Sequence, residues 1–355
     1  MNLEMTMHNV RFGFWMPIFG GWLRNVEDEQ MAATFDYNKR IAQRAEQIGF
    51  DISLLAELNL NDIKGAMAPV LECWTTAAAI ASVTKKVELM NAIRPGFRLP
   101  AITAKMSANI DQISNGRFSL NIVSAWWEQE MREYGGTWVG HDERYERTRE
   151  FLEVMRGMWT EDEFTYEGRY YKVEKAHLEP KPVRKPWPTL YAGGESEDAK
   201  RMISRFCDGY LMHGDPPENV WPKVEEMERR RRELGLGPMT YGIAAYVICR
   251  ESDAEVKKEI DRICDVKDTA GYFGFKDFTT QSKLERELSL RDYSVSNRGL
   301  RTGLTGTAEQ IAERIIEFRN AGVEIFLMQM SPMMEEMERF AEEVIPLVRS
   351  GPASE

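Results

Sequence analysis

The stretch Thr189-Leu-Tyr-Ala-Gly-Gly-Glu-Ser196 decides the fold class, because it has the pattern of a short β-strand that runs into paired glycines and then into a helix beginning near Glu197. After that helix, Asp208–His213 again has the composition of a buried strand. A strand, a helix and a second strand in this order are typical of βα units that build a parallel sheet. The centre of the chain therefore predicts an α/β fold.

The same alternation continues in both directions along the 355 residues. Strands are predicted at Arg11–Met16, Asp51–Leu55, Val87–Ala92, Phe118–Val123, Thr189–Ala192, Asp208–His213, Tyr241–Cys249 and Glu324–Met330. Eight units favour closure into a barrel, whereas an open doubly wound sheet more often stops at about five or six strands. We therefore predict an eight-stranded parallel β/α (TIM) barrel that forms a single domain over residues 1–355.

Two predicted helices carry clear end signals. Asn38–Ile48 is closed by Gly49, and Thr307–Ala321 is opened by a capping box between Thr307 and Gln310 and closed by Gly322.

Two excursions interrupt the alternation, at about 126–188 and 265–302. The first holds a predicted helix from Arg144 to Trp159 and a hairpin around Tyr166–Tyr171 with Glu167-Gly168 at its turn. Long insertions after barrel strands tend to build the active-site face, so both are candidate lids. Contacts between subunits are the alternative interpretation.

Composition excludes several classes of function. A net charge of −11 and a pI near 5.2 argue against a nucleic-acid partner, which would need a basic surface. No apolar run is long enough for a membrane span and the N-terminus lacks a secretory pattern, so a cytoplasmic protein is expected. The four cysteines form no CxxC pair and the four histidines no HExxH motif, so no metal site is predicted.

The glycine pair of the opening stretch is a candidate phosphate site. A helix N-terminus offers free N–H groups, glycine at Gly194 lets an anion approach the backbone, and Ser196 adds a hydroxyl. The stretch is not a GxGxxG fingerprint, and the chain has no Walker motif, so a mononucleotide is the preferred ligand. An ordinary βα turn is the alternative.

Polar and aromatic residues at other strand ends add to this site. Asn121-Ile-Val-Ser-Ala-Trp126-Trp127 leaves a buried strand at the rim, where the tryptophans, together with Trp15, offer flat apolar walls. Glu57 and His213 follow two further strands, and an exposed acid and a hydrogen-bonded rim histidine are the alternatives. There is no Ser/His/Asp set and no glycosidase-like carboxylate pair, which indicates that a cofactor supplies the chemistry.

Several segments, in order from Arg11 to Arg349, resemble the bacterial luciferase-like family of flavin-dependent monooxygenases. They are Phe118-Ser-Leu-Asn-Ile-Val-Ser-Ala-Trp126, His141-Asp-Glu-Arg-Tyr145, Trp159-Thr-Glu-Asp, Ala192-Gly-Gly-Glu-Ser196 and Gly306-Thr-Ala-Glu-Gln-Ile-Ala-Glu-Arg314. Within the family the chain is most similar to dimethylsulfone monooxygenases, followed by alkanesulfonate and pyrimidine monooxygenases.

The resemblance implies a set of site residues. Flavin contacts are expected from Glu57, Leu58, Ala92, Asn121, Glu130, Arg144, Tyr145, Gly194 and Ser196. A catalytic role is expected for Asn121, Trp126, His213 and a mobile-loop arginine, Arg298. Ala92 departs from the pyrimidine enzymes, which have threonine there, so a hydrogen bond to oxygen would have to come from Asn91.

The departures on strand seven bear on the substrate. Alkanesulfonate monooxygenases have an Arg-x-His pair at the positions of Ala244 and Tyr246. Losing a guanidinium that could pair with an anion argues against a sulfonate and favours a small neutral molecule.

The resemblance thus implies a two-component enzyme that takes reduced FMN (FMNH2) from a separate NAD(P)H-dependent flavin reductase and oxidises a small organosulfur compound with O2 through a flavin (hydro)peroxide. Dimethylsulfone would give methanesulfinate and formaldehyde. We expect a homo-oligomer, either a dimer or a tetramer. The alternatives are oxidation of an alkanesulfonate or N-heterocycle, a deazaflavin-dependent dehydrogenase and a non-catalytic flavin-binding protein.

Overall fold

In the computed structural model, which describes residues 10–124 and 126–350, parallel strands close into a barrel. The strands of this barrel are β1 (Arg11–Trp15), β2 (Ile52–Leu55), β3 (Glu88–Ile93), β4 (Phe118–Ile122), β5 (Thr189–Gly193), β6 (Gly209–Met212), β7 (Thr240–Tyr246) and β8 (Ile325–Gln329). Each strand pairs with the next along the chain, and β8 pairs with β1. The predicted eight-stranded barrel is confirmed.

Helices surround the barrel and connect its strands. The α-helices are α1 (Phe35–Ile48), α2 (Cys73–Val83), α3 (Pro100–Ser114), α4 (Glu128–Glu133), α5 (His141–Thr160), α6 (Glu197–Phe206), α7 (Pro217–Glu233), α8 (Asp253–Ile263), α9 (Phe275–Gln281), α10 (Leu290–Tyr293), α11 (Ala308–Asn320), α12 (Met333–Arg339) and α13 (Ile345–Ser350). Short 3-10 turns lie at Pro95–Phe97, Ala270–Tyr272 and Ser296–Thr302, and a π turn at Phe340–Val344 joins α12 to α13. Among the described residues, no helix combines the length and the apolar character needed to cross a bilayer.

The predicted helix ends agree with the structure in their chemistry. The α1 helix begins three residues earlier than predicted because Thr34 caps it, and it ends at Gly49, whose φ of 102° suits glycine. At α11 the Thr307 hydroxyl accepts from the Gln310 N–H, and the Gln310 side chain accepts from the Thr307 N–H at 2.8 Å. The capping box is therefore confirmed.

The predicted seventh strand was too long. The barrel strand β7 ends at Tyr246, and Ile248–Cys249 pairs instead with Thr305–Gly306 outside the barrel. The Val247 N–H still donates to the carbonyl of Gln329, whereas the Ile248 N–H donates to that of Leu304. An uninterrupted apolar run conceals this change of partner.

Both excursions reach the carboxyl-terminal end of the barrel with part of their length. Residues 126–188 contain α4, α5 and an antiparallel hairpin of Phe164–Glu167 and Lys172–Ala176, close to the predicted hairpin. Residues 265–302 contain α9, α10 and two of the 3-10 turns. Each excursion contributes side chains to the cavity described next.

Candidate functional site

A cavity of about 260 Å³ opens at the carboxyl ends of the barrel strands. Every barrel strand contributes a residue from its carboxyl-terminal half or its centre to the wall, namely Trp15, Leu54, Ala92, Asn121, Gly193, Met212, Ala244 and Leu327. This is the face at which β/α barrels carry their active sites. The excursion 265–302 adds Phe278, Gln281, Ser282, Lys283, Leu284, Tyr293, Ser296 and Asn297.

The paired glycines form the tightest part of the wall. A Cβ on Gly193 would lie 2.8 Å from the carbonyl oxygen of Leu211, and one on Gly194, whose φ is 155°, would lie 2.6 Å from the Cβ of Ala199. The Ser196 hydroxyl caps α6 by accepting from the Ala199 N–H at 3.2 Å. The predicted strand, glycine turn and helix are therefore present, with the helix N-terminus facing the cavity.

Arg144 supplies positive charge to the same cavity. Its guanidinium donates to the carbonyls of Val139 and Gln281, each at 3.0 Å, and lies 4.4 Å from the ring centre of Trp138. Within residues 10–124 and 126–350, no carboxylate lies within 4 Å of it, and its Nε has no hydrogen-bond partner. A buried cation in this state is suited to bind an anion.

The other cations of the wall are already neutralised. Arg24 pairs with Asp62 at 3.0 Å, Arg94 pairs with Glu130, and Lys283 pairs with Asp142 at 2.9 Å. Arg144 thus differs from each of these three.

Tyr145 completes the corner next to Gly194 and Ser196. Its hydroxyl lies 3.3 Å from the position that a Cβ on Gly194 would take. Burial raises the pKa of Tyr145, while the hydroxyls of Ser196 and Ser124 beside it act in the opposite direction. At neutral pH this phenol is a hydrogen-bond donor.

Aromatic rings form an apolar wall, in part as predicted. Trp15 and Trp126 line the cavity, whereas Trp127 is fully buried and stacks behind Trp126 with ring centres 5.4 Å apart and planes at 3°. Phe278 meets Trp126 edge to face at 5.2 Å. Trp127 therefore supports the wall without forming part of it.

Asn121 faces the cavity next to Ala92, its neighbour on β3. Among the described residues its side-chain oxygen has no hydrogen-bond partner, although it is buried. Such an atom costs stability unless a ligand donates to it. Asn91, the alternative donor, lies outside the wall and donates to the carbonyl of Ala92 at 3.0 Å.

Glu57 and Leu58 line the cavity, but Glu130 does not. Burial raises the pKa of Glu57, while Arg98 and Arg94 oppose that shift, and Arg98 donates to the carboxylate at 2.6 Å. Glu130 is fully buried behind the wall and pairs with Arg94, which does line the cavity. Glu130 therefore supports the wall from behind, through Arg94 and through the Asn59 N–H, from which it accepts a hydrogen bond next to Leu58.

The two predicted catalytic residues on the far side also differ in placement. His213 follows β6 and lines the cavity, but Arg298 lies outside the wall, where its guanidinium pairs with Glu195. Ala244 lines the cavity, whereas Tyr246 is buried outside it. At the position where a sulfonate enzyme is expected to carry a guanidinium, this cavity has a methyl group.

His213 is neutral over most of the physiological pH range. Burial lowers its pKa to about 4, Arg298 and Lys223 act in the same direction, and Glu195 and Asp215 oppose them. An unfolded histidine titrates near 6.5. Below pH 6.5, His213 binds a proton in the unfolded chain but stays neutral in the folded chain. The free energy of unfolding therefore decreases as the pH falls from about 6.5 to about 4.

We therefore expect the His213→Gln variant to lose less stability than the parent between pH 7 and pH 4.5. Urea unfolding of both proteins at several pH values measures this, because all other titrating groups are shared. A difference between the two free energies of unfolding that does not change with pH would contradict the buried, neutral histidine.

Sequence patterns missed several wall residues. Arg24, Arg94, Phe278 and Tyr293 lie in loops or short helices whose pairing partners are remote in sequence. Glu195 stood inside the glycine motif, yet no role was predicted for it. Its position between Gly194 and Ser196 was the available signal.

Comparison with known proteins agrees with the family that the motifs predicted. The sequence model of the family described as luciferase-like monooxygenase matches residues 10–324. An FMNH2-dependent dimethylsulfone monooxygenase of Pseudomonas putida is 32% identical over 349 residues, covering 96% of this chain and 95% of that protein. A second, from Pseudomonas fluorescens (strain Pf0-1), is 33% identical over 354 residues, covering 97% and 96%.

Solved structures share the fold. A long-chain alkane monooxygenase superposes with a TM-score of 0.82 at 17% identity, covering 96% of this chain and 91% of that chain. The family match over most of the chain, the two full-length relatives and the common barrel lead to one conclusion. The chain belongs to the luciferase-like monooxygenase family.

Proposed function

We propose that this chain is an FMNH2-dependent monooxygenase that receives reduced flavin from a separate reductase and oxidises a small neutral organosulfur molecule of the dimethylsulfone type with O2 through a flavin (hydro)peroxide. The observation that carries the proposal is the cavity itself. It joins a glycine turn, a cation without a carboxylate partner and an apolar aromatic wall at the catalytic end of the barrel.

The phosphate of FMN fits the corner formed by Gly194, Ser196, Arg144 and Tyr145. The turn has no room for a Cβ, so the backbone N–H groups at the start of α6 stay accessible. Arg144 supplies the charge, and the hydroxyl of Tyr145 is a donor at the same corner.

The flavin ring fits the centre of the cavity. The unpartnered oxygen of Asn121 would accept from a ring N–H, and Trp15 and Trp126 offer apolar surfaces on which a flat ring can pack. Glu57 and Leu58 lie on the wall next to Ala92, which places no polar group of its own toward the ring.

The protein residues bind, orient and exclude water, whereas reduced flavin supplies the two electrons of the reaction when bound. For dimethylsulfone, insertion of one oxygen atom and cleavage of a C–S bond gives methanesulfinate and formaldehyde, and the second oxygen atom leaves as water. Phe278 and Tyr293 cover the aromatic wall from the 265–302 side and keep this reaction away from bulk solvent.

A neutral substrate follows from the charges of the wall. Arg24, Arg94 and Lys283 are paired, and in the proposed complex Arg144 is used by the phosphate. His213 is neutral and Ala244 is apolar. None of these groups is left to balance a sulfonate.

The function is tested by supplying FMN, a flavin reductase, NADH and O2, and measuring substrate-dependent product formation across sulfones, sulfonates and N-heterocycles. The proposal expects turnover of a sulfone that requires both the reductase and oxygen. Tight FMN binding without substrate-dependent oxygen uptake would contradict it, as would anaerobic hydride transfer with a deazaflavin.

We expect Ser196→Asp to weaken FMN binding by about tenfold, roughly 1.4 kcal/mol, because a carboxylate repels the phosphate while still capping α6. Riboflavin, which lacks the phosphate, should bind unchanged. Fluorescence titration of both flavins measures the difference.

Ser252→Asp is the matched control. Ser252 caps α8 in the same way, accepting from the Glu255 N–H, but does not line the cavity. Equal FMN affinity in the Ser196→Asp variant and the parent would rule out this phosphate position.

A further inference from the structure

One carboxylate, that of Glu195, separates Arg298 from the cavity. Glu195 lines the wall, and one of its oxygens accepts from the Arg298 guanidinium while the other accepts from the Glu285 N–H at 3.0 Å. Both side chains of the ion pair are only 4% exposed. The charge of Arg298 is therefore cancelled at the boundary of the cavity.

Arg298 is held in place independently of this ion pair. The Gly214 N–H donates to the carbonyl of Asn297 at 2.9 Å, and a Cβ on Gly214 would collide with the carbonyl oxygen of Arg298. A Cβ on Gly299 would lie 2.7 Å from the backbone nitrogen of Tyr246. The backbone around Arg298 is thus packed against the ends of β6 and β7, which holds the Cα of Arg298 in place when its partner is changed.

The neighbouring charges do not replace Glu195. The Lys223 ammonium lies 3.2 Å from Asp215, 3.1 Å from Glu285 and 3.8 Å from Glu195. Asp215 therefore forms its ion pair with Lys223 and does not pair with Arg298. Among the described residues, Glu195 is the carboxylate within 4 Å of the Arg298 guanidinium. Neutralising Glu195 would leave the buried Arg298 guanidinium without a carboxylate within 4 Å among the described residues, directly behind the cavity wall.

We propose that Glu195 makes the site selective for uncharged substrates. By neutralising the charge of Arg298, it lets uncharged substrates bind and disfavours anions. The inference rests on the proposed function, because it names the selectivity of that same site. A buried cation that loses its carboxylate recruits another anion where one can reach it, and a small sulfonate in the cavity can take that role.

The test uses the FMN-loaded protein and the variant Glu195→Gln, which keeps the shape and one acceptor oxygen. Methanesulfonate binding is measured without turnover by quenching of tryptophan fluorescence, and kcat/KM is measured for dimethylsulfone and methanesulfonate in the coupled assay. We expect the methanesulfonate-to-sulfone ratio to rise about tenfold. In the double variant Glu195→Gln/Arg298→Gln the ratio should return to the parent value.

Asp215→Asn is the matched control, since it removes a carboxylate from the same charged group but lies outside the cavity wall. Its ratio should equal that of the parent. If Glu195→Gln does not fold, Arg298→Gln tests the same idea in the opposite direction, because the unmasked carboxylate should lower the methanesulfonate-to-sulfone ratio further.

An unchanged ratio in folded Glu195→Gln would overturn the proposal, and so would an equal loss on both substrates. A gain that persists in the double variant would show that Arg298 is not its source. A rise in the methanesulfonate-to-sulfone ratio that occurs with FMN but not with riboflavin would place the effect at the flavin phosphate. That result would also overturn the proposal. Absence of any oxygenase activity in the parent would refute the proposed function instead, and the binding titration would still test Glu195.

Discussion

Replacing Arg144 by methionine is expected to weaken FMN binding by about a hundredfold, roughly 3 kcal/mol, with a much smaller effect on riboflavin. The guanidinium lines the same cavity as Gly194 and Ser196, and its hydrogen-bond acceptors among the described residues are the neutral carbonyls of Val139 and Gln281. A charge-assisted hydrogen bond to phosphate in such a setting contributes about 1.5–3 kcal/mol, and the Coulomb attraction adds to it. Methionine fills similar space without charge.

Arg149→Met is the matched control for this experiment. Arg149 lies on the same helix, α5, but pairs with Glu153 at 2.8 Å and does not line the cavity. Isothermal titration of FMN and riboflavin into the parent and both variants separates loss of phosphate recognition from general damage. If Arg144→Met and Arg149→Met bind FMN equally well, the phosphate lies elsewhere in the cavity.

The barrel and the glycine turn before α6 were predictable because their determinants are local. Each strand is a short apolar run followed by a turn, and the Gly193-Gly194 turn, the Ser196 cap and the start of α6 lie within five consecutive positions. Arg144 and Tyr145 come from the excursion 126–188, which is separate from the glycine turn in sequence. Their place in the corner was implied only by the family resemblance.

The rest of the wall depends on pairings that no local pattern contains. Arg298 was expected at the site, yet it lies outside the cavity wall. There its guanidinium pairs with Glu195, which is 103 residues away in sequence. Glu130 likewise pairs with Arg94, 36 residues earlier, and so lies behind the wall. Residue type indicated that these groups matter, and tertiary pairing decided which of them faces the cavity.

The end of β7 shows the same limitation from the packing side. Val247 and Ile248 are both apolar and buried, but the Val247 N–H donates to Gln329 of β8, whereas the Ile248 N–H donates to Leu304 outside the barrel. Hydrophobic pattern specifies burial, whereas the choice of hydrogen-bond partner depends on where Thr305–Gly306 is delivered by the excursion that precedes it.

We expect the enzyme to prefer a neutral substrate to an anionic one, and a direct comparison of substrates tests this. Coupled turnover, measured as product formed per NADH, should favour dimethylsulfone over methanesulfonate or octanesulfonate by at least about tenfold. That requires only about 1.4 kcal/mol of discrimination. Desolvating an anion without a paired cation costs several kcal/mol, so the available energy exceeds the requirement.

We expect this preference because, among the described residues of the wall, no unpaired positive charge is left for a substrate once Arg144 holds the phosphate. Ala244 replaces the expected guanidinium, His213 is neutral because burial lowers its pKa to about 4, and Arg298 is masked by Glu195. Lowering the assay pH from 8 to 6 should leave the preference unchanged, since His213 remains unprotonated throughout this range. Efficient desulfonation of either sulfonate without activity on the sulfone would refute the substrate assignment, and FMN dependence in the same assay would leave the flavin site intact.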